Sequence, residues 1–202
     1  MKPAAVLLAG GMARRMGGGD KPLRLLADRP ILAHVIARIA PQVSATVLNA
    51  NGDQTRFAEW GLPVIADAIP DYPGPLAGIH AGMLWAQGHF PEIASVPTDT
   101  PFLPEDLIES LHDARNATNA DIAIAASHGQ AHPVAALWPV ALADELHRFV
   151  SAGGRRVTEF TAHYNVVHVD FPVVDIDPFF NINSPEDLEQ AHAVVRLLQA
   201  GT

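Results

Sequence analysis

A short apolar run at the amino end, Ala4–Leu8, breaks into LAGGMARRMGGGDKPL at residues 8–23. No other feature constrains the fold as strongly. A run of this kind that stops at glycine is a buried strand. Gly10, Gly11, Gly17, Gly18 and Gly19 let the following backbone bend where other residues clash. Arg14, Arg15 and Lys21 place positive charge beside that bend. Exposed amides next to cationic side chains make an anion cradle, and phosphate is the anion most often held this way.

The rest of the chain repeats the theme of a strand followed by a helix. Apolar runs at 45–48, 64–66, 93–96, 121–126, 134–138 and 166–169 predict strands. Helical spacing predicts helices over Ile31–Ile39, 76–85 and 140–150, with Pro30 in the first turn of the earliest one, and Leu103-Pro104-Glu105-Asp106-Leu107 opens another whose apolar face is Leu107, Ile108, Leu111 and Ala114. Ser184-Pro185-Glu186-Asp187 opens a last helix, with Ser at the cap, Pro at the first position and acids in the first turn. That helix carries Leu188, Ala191, Val195 and Leu198 on one side. The segment 70–78, PDYPGPLAG, is expected to be a loop because its prolines donate no backbone hydrogen bond. This alternation predicts a single α/β domain over 1–202: a three-layer, Rossmann-like, mostly parallel sheet with helices on both faces. In such sheets ligands sit at the carboxyl ends of the strands. The polar residues collect there: Gly10–Lys21 after the first strand, then Asn49, Asp67 and Asp99 after the next three.

Composition excludes several classes. Hydrophobic residues make up 49% and charged residues 17% of 202, which is globular and not disordered. There is no cysteine, hence no disulfide and no thiolate chemistry. No run reaches the roughly 20 apolar residues of a membrane span, and the amino end does not make a signal peptide. The chain is expected to be soluble and cytoplasmic. Its net charge of −9 argues against nucleic acid held by bulk attraction. The charge is uneven, however. Residues 1–40 carry a net +5 and the remainder −14. A cationic site on an acidic body suits a small, multiply charged ligand, although Arg24, Arg29 and Arg38 equally fit a solvated helix face. Ten histidines form no cluster with ligand spacing, so no zinc site is predicted.

The glycine-rich stretch fails the Walker pattern, since Lys21 lies between Asp20 and Pro22. It also fails the dinucleotide pattern, since Pro22 replaces the last glycine. It matches a third one. Leu8-Ala9-Gly10-Gly11, Arg15-Met16-Gly17 and Asp20-Lys21 resemble, position by position, the LAGGxxxRMGxxDK loop of the molybdenum cofactor guanylyltransferase family. Further blocks agree: VLNAN at 47–51, DYPGPLAG at 71–78, DTP at 99–101, HP at 132–133, GRRV at 154–157 and NINSP at 181–185. Relatives that use CTP or activate sugar phosphates usually begin LAAG. The resemblance therefore implies transfer of GMP from GTP to molybdopterin or the molybdenum cofactor, with Mg²⁺ and release of pyrophosphate. It also implies hand-over to cofactor-insertion proteins and molybdoenzymes. A related enzyme using CTP or a sugar phosphate is the alternative, and a non-catalytic nucleotide-binding chaperone is a second.

The residues support nucleotidyl transfer on their own terms. Acceptor and triphosphate are both anions, so the site must neutralise charge and hold the atoms in line. Backbone amides of Leu8, Ala9, Gly10 and Gly11 and the loop beyond can wrap phosphates and touch the base. Arg15 can fork onto phosphate oxygens. Lys21 supplies a compact charge for the α-phosphate. Asp99, at a strand end, suits Mg²⁺, which takes one or two carboxylates besides phosphate and water. Guanine presents N1–H and N2–H₂ together, and Asp67 is the carboxylate placed to accept both. Asn49 is assigned to base or ribose, and Pro75, Leu76 and Gly78 to an apolar wall. Asn183 is assigned to the metal or the acceptor. Arg155 and Arg156 either bind the acceptor phosphate or begin an exposed helix. The amino-terminal half would thus hold the nucleotide and the carboxyl-terminal half mainly the acceptor.

Overall fold

β1 (Ala4–Leu8) lies at the heart of a seven-stranded sheet in a computed structural model that describes residues 2–10, 20–69 and 74–200, with side chains as far as 198. Along the chain follow β2 (Leu25–Leu26), β3 (Arg29–Pro30), α1 (Ile31–Ile39), β4 (Ala45–Asn49), β5 (Val64–Ile65) and α2 (Pro75–Ala86). Then come β6 (Glu92–Pro97), α3 (Leu107–Thr118), β7 (Ile122–Ser127), β8 (Gln130–Pro139), α4 (Ala143–Ser151), α5 (Val157–Thr161), β9 (Val166–Phe171) and α6 (Pro185–Ala200). The sheet order is β5-β4-β1-β6-β8-β7-β9, and β2 and β3 form a separate small ribbon. All neighbours run parallel except β8, which is antiparallel to both β6 and β7.

Alternation along β1 assigns its two faces. Ala4 and Val6 pack with Ile79 and Met83 of α2, Leu146 of α4 and Phe160 of α5. Ala5 and Leu7 pack with Leu32 and Val35 of α1 and Leu107 and Leu111 of α3. A strand covered on both sides has no polar position to spare, which is why β1 reads as unbroken hydrocarbon. A third cluster joins α6, through Ala191 and Val195, to Leu26 of the ribbon and to Ile182. The expected three layers are present.

Several local readings differ from the structure. The helix α2 begins at Pro75, inside the segment expected to be loop. Proline is at home there because the amide it lacks has no partner in a first turn. Pro30 is the cap of α1 and not part of its first turn. The strand expected over 64–66 is only Val64–Ile65. The helix expected over 140–150 starts as a 3₁₀ turn, Val140–Leu142, before α4. Leu198 is 44% exposed and leaves the apolar side predicted for α6. The β2–β3 ribbon and a 3₁₀ helix at Gln54–Trp60 escaped the sequence, and α5 is the short helix that Arg155 and Arg156 were given as one of two alternatives to begin. β7 and β8 form a two-residue hairpin in which His128 and Gly129 both have positive φ, 49° and 72°. That pair of angles is what a type I′ turn demands, and it explains why β8 runs against its neighbours.

The order of the strands reverses at β1. The strands following it in sequence extend to the β4 side, whereas β6 returns on the other. A crevice therefore opens at the carboxyl ends of β1, β4 and β6. The helix α2 leans tightly over it. A Cβ on Gly78 would overlap Asn49 Oδ1, and one on Gly82 would stand 2.7 Å from Val6 Cβ.

Candidate active site

Two groups of polar side chains line this crevice. The first centres on Lys21, at the start of a 3₁₀ turn that continues with Pro22 and Leu23. Its ammonium donates to Asp99 Oδ2 at 2.6 Å, to Asn183 Oδ1 at 2.6 Å and to Asn181 Oδ1 at 3.2 Å. An ammonium has three donors, and here three acceptors surround it. The Lys21 and Asp99 side chains are only 12% and 22% exposed.

Asp99 arrives from the end of β6. Thr98, just before it, donates its hydroxyl to Leu8 O at 3.0 Å, which locks the ends of β6 and β1 together. The carbonyl of Asp99 accepts from Ile182 N–H at 3.0 Å and so draws the segment carrying Asn181 and Asn183 alongside. Ile182 is fully buried between two exposed asparagines. An extended chain turns alternate residues to opposite sides, so one apolar anchor aims both amides at Lys21. Behind them, the Asn183 and Ser184 amides donate to Asp187 Oδ2, and the Asp187 amide donates to Ser184 Oγ. This reciprocal cap starts α6 where the sequence placed it. The Asn183 amide, aided by Ser184 and the Lys21 charge, holds the Asp187 carboxyl below the usual carboxylate range against partial burial.

A second support lies under the same segment. Ser127 Oγ donates to Asp177 Oδ2 at 2.9 Å and lies 2.6 Å from His132 Nε2. With the hydroxyl hydrogen on Asp177, His132 Nε2–H is the donor to Ser127 Oγ. The serine proton is directed at Asp177 and not at the imidazole, so this is not the arrangement of a hydrolase triad. The His132 ring stacks on Phe179 at 4.4 Å, and burial pushes its pKa down while Asp177 opposes. The cluster pins the β7–β8 hairpin to the stretch that leads into Asn181.

The second polar group centres on Asp67, beyond the end of β5. Asn49, 3% exposed at the end of β4, donates to Asp67 Oδ1 at 2.9 Å. Asn51 donates to Asp67 Oδ2 at 2.7 Å and accepts the Asp67 amide at 2.9 Å. Ala9 N–H donates to Asn49 O at 2.9 Å, and so ties this group to the end of β1. Pro75, Leu76 and Gly78 open α2 above it.

The two groups are joined through Arg56, in the unforeseen 3₁₀ helix. Its guanidinium lies 3.0 Å from Asp20 Oδ2, next to Lys21, and donates to the carbonyls of Asn51 and Asp53 at 2.7 Å each.

Of the residues the sequence singled out, Lys21, Asp99 and Asn183 meet in one cluster, and Asn49 and Asp67 in the other. Leu8, Ala9 and Gly10 lie at the end of β1. Gly11 and Arg15 lie outside the described residues. Arg155 and Arg156 are exposed just before α5, where Arg156 stands 3.8 Å from Glu159. Asn181, Asn51 and Arg56 were missed. The N-I-N spacing could have revealed Asn181, because alternate residues of an extended chain share a face. No local pattern announces Arg56, whose partner Asp20 is far along the chain.

The crevice sets the Lys21 ammonium among oxygen acceptors and the Asp67 carboxylate among side-chain amides. Residues 5–169 match the model of the MobA-like NTP transferase domain. The chain belongs to the MobA-like NTP transferase family. A curated member, the molybdenum cofactor guanylyltransferase of Rhodopseudomonas palustris strain BisB5, is 54% identical over 194 residues, covering 94% of this chain and 92% of that one. The crystal structure of molybdopterin-guanine dinucleotide biosynthesis protein A from Archaeoglobus fulgidus superposes with a TM-score of 0.75 at 26% identity, over 96% and 99% of the two chains. A CMP-2-keto-3-deoxy-manno-octonic acid synthetase complexed with CTP shares the fold alone, with a TM-score of 0.76 at 12% identity over 98% and 99%. The MobA-like fold is thus a nucleotidyltransferase fold, as its crevice suggests. Among its described residues no helix is long and apolar enough to cross a membrane.

Proposed function

We propose that this chain transfers GMP from GTP to molybdopterin or the molybdenum cofactor, forming the guanine dinucleotide and releasing pyrophosphate. The observation that carries this is the division of the crevice: Lys21, Asp99, Asn181 and Asn183 at one end, and Asn49, Asn51 and Asp67 at the other. The first set suits phosphates and the second a base edge with paired donors. An oxygen of the acceptor phosphate bonds to the α-phosphorus of GTP as the bond to the bridging oxygen of the β-phosphate breaks. Pyrophosphate takes the electron pair. Lys21 stabilises the charge on the α-phosphoryl oxygens, and the loop carrying Gly10, Gly11 and Arg15 holds the departing phosphates. Asn183 helps to place the acceptor, and Arg155 and Arg156 serve its phosphate. In this reading the amino-terminal half holds GTP and the other half mainly the acceptor.

The donor set fits Mg²⁺. Asp99 Oδ1 is buried without a hydrogen-bond partner, and its neighbours are hard amide oxygens. Among the described residues no group of three His, Cys, Asp or Glu could hold a metal by itself. That agrees with an ion needing one carboxylate and the phosphates of its substrate. Bound at Asp99, Mg²⁺ would neutralise phosphate charge. The reading places the protein in the cytoplasm, with its product passed to cofactor-insertion proteins or molybdoenzymes.

The test is to mix the pure protein with Mg²⁺, molybdopterin and GTP, CTP or ATP in turn, measure pyrophosphate and weigh the product. GTP alone should yield the dinucleotide, and Asp99→Ala should abolish turnover. Faster turnover with CTP would overturn the guanine reading, and full activity in Asp99→Ala the metal reading.

A further inference from the structure

We infer that Asn51 is a positioning residue that sets base selectivity by fixing the orientation of the Asp67 carboxylate. The inference rests on the reading of Asp67 as the guanine acceptor and goes one step further.

Accepting both N1–H and N2–H₂ requires the plane of a carboxylate to be held, not only its position. Among the described residues Asp67 has one restraint on each oxygen: Asn49 Nδ2–H at Oδ1 and Asn51 Nδ2–H at Oδ2. Each carboxylate oxygen has two acceptor sites, so one on each remains for a ligand. Asn51 also accepts the Asp67 amide and so clamps the residue at both ends. Its own backbone is fixed in turn, because Arg56 donates to its carbonyl. Asn49 is buried and backed by Gly78. Asn51 is exposed, with no core packing to explain its geometry. Without Asn51 the carboxylate is held at one oxygen and can turn about its χ2. It would still meet N1–H but would lose alignment with N2–H₂.

Inosine triphosphate separates these two contacts, because its base keeps N1–H and lacks the 2-amino group. The experiment measures kcat/KM for GTP and for inosine triphosphate, with molybdopterin as acceptor, in the wild type, Asn51→Ala, Asn51→Asp and Asp67→Asn. The wild type should prefer GTP. Asn51→Ala should reduce that preference on the order of 10-fold, mostly through the KM for GTP. Asn51→Asp keeps the acceptor for the Asp67 amide and sets a second carboxylate against Oδ2, so it should reduce the preference at least as far. Far-ultraviolet circular dichroism and urea unfolding establish that each variant is folded, and either Asn51 variant suffices. A preference unchanged within 2-fold in a folded Asn51 variant, while Asp67→Asn abolishes it, overturns the role of Asn51 and spares that of Asp67. An unchanged preference in Asp67→Asn overturns both.

Discussion

Substituting Gly78 tests the link between packing and base recognition. A Cβ at this position would overlap Asn49 Oδ1 and stand 2.7 Å from Leu8 Cδ2, when ordinary contacts begin near 3.4 Å. In Gly78→Ala something must move by close to an ångström. Leu8 closes β1, which is paired on both sides, so the Asn49 amide has to give way. Moving it breaks its 2.9 Å bond to Asp67. Overpacking costs about 1–3 kcal/mol. A lost hydrogen bond to a charged group adds about 1.5–3 kcal/mol, and the better helix propensity of alanine returns about 1 kcal/mol. The expected net loss is about 1.5–5 kcal/mol, or a Tm lowered by roughly 3–20 °C for a chain of this size. Gly82→Ala is the control. The nearest atoms to its Cβ would all belong to Val6, with Val6 Cβ at 2.7 Å, so it should also destabilise. The two differ in the assay. Gly78→Ala should raise the KM for GTP about 10-fold with a smaller effect on kcat, as lost ground-state binding does. Gly82→Ala should keep KM within roughly 2-fold of the wild type. Urea unfolding and initial rates of pyrophosphate release read both quantities. If Gly78→Ala proves as stable as the wild type, or if both variants change KM alike, the reasoning fails.

Lys21→Ala should lower kcat at saturating GTP by the equivalent of about 2.7–4 kcal/mol of barrier, with little change in GTP affinity. A rise in KM alone would contradict a role in the transition state. A pH dependence of stability is expected from His80, which is 4% exposed on α2. Burial, and then the neighbouring His147, lowers its pKa below 6.5, while Asp144 pulls the other way. The unfolded chain takes up the proton first as pH falls, so stability is level above about pH 7 and declines on acidification below about 6.5. His132 acts in the same direction. The slope of the urea midpoint between pH 5 and 7 should be shallower in His80→Leu, and an unchanged slope would remove His80 as its cause.

The cluster around Lys21 was legible in its members Lys21, Asp99 and Asn183, which the sequence singled out, but not in their meeting. Asp99 follows β6 directly, at the strand end where a polar residue was expected. The cluster around Asp67 was half legible: Asn49 closes β4 and Asp67 lies just beyond β5, but nothing local says that Asn51 turns back onto Asp67. The loop over 70–78 was misjudged at Pro75, since a proline serves a helix start as well as a turn. Arg156 stands beside Glu159 at the start of its own helix, a local contact that the spacing of the two residues allows.

By itself the sequence determined the layered α/β architecture, the crevice at the strand ends and the family. Hydrophobic periodicity and turn chemistry are local, and a run buried on both faces has few other ways to fold. Tertiary structure alone decided that Lys21 meets Asp99, Asn181 and Asn183, and that Arg56 ties Asp20 to Asn51. These partners are far apart along the chain and come together only when the sheet sets β1 between β4 and β6. A charge finds its partner by distance in space, which no local pattern of residues records.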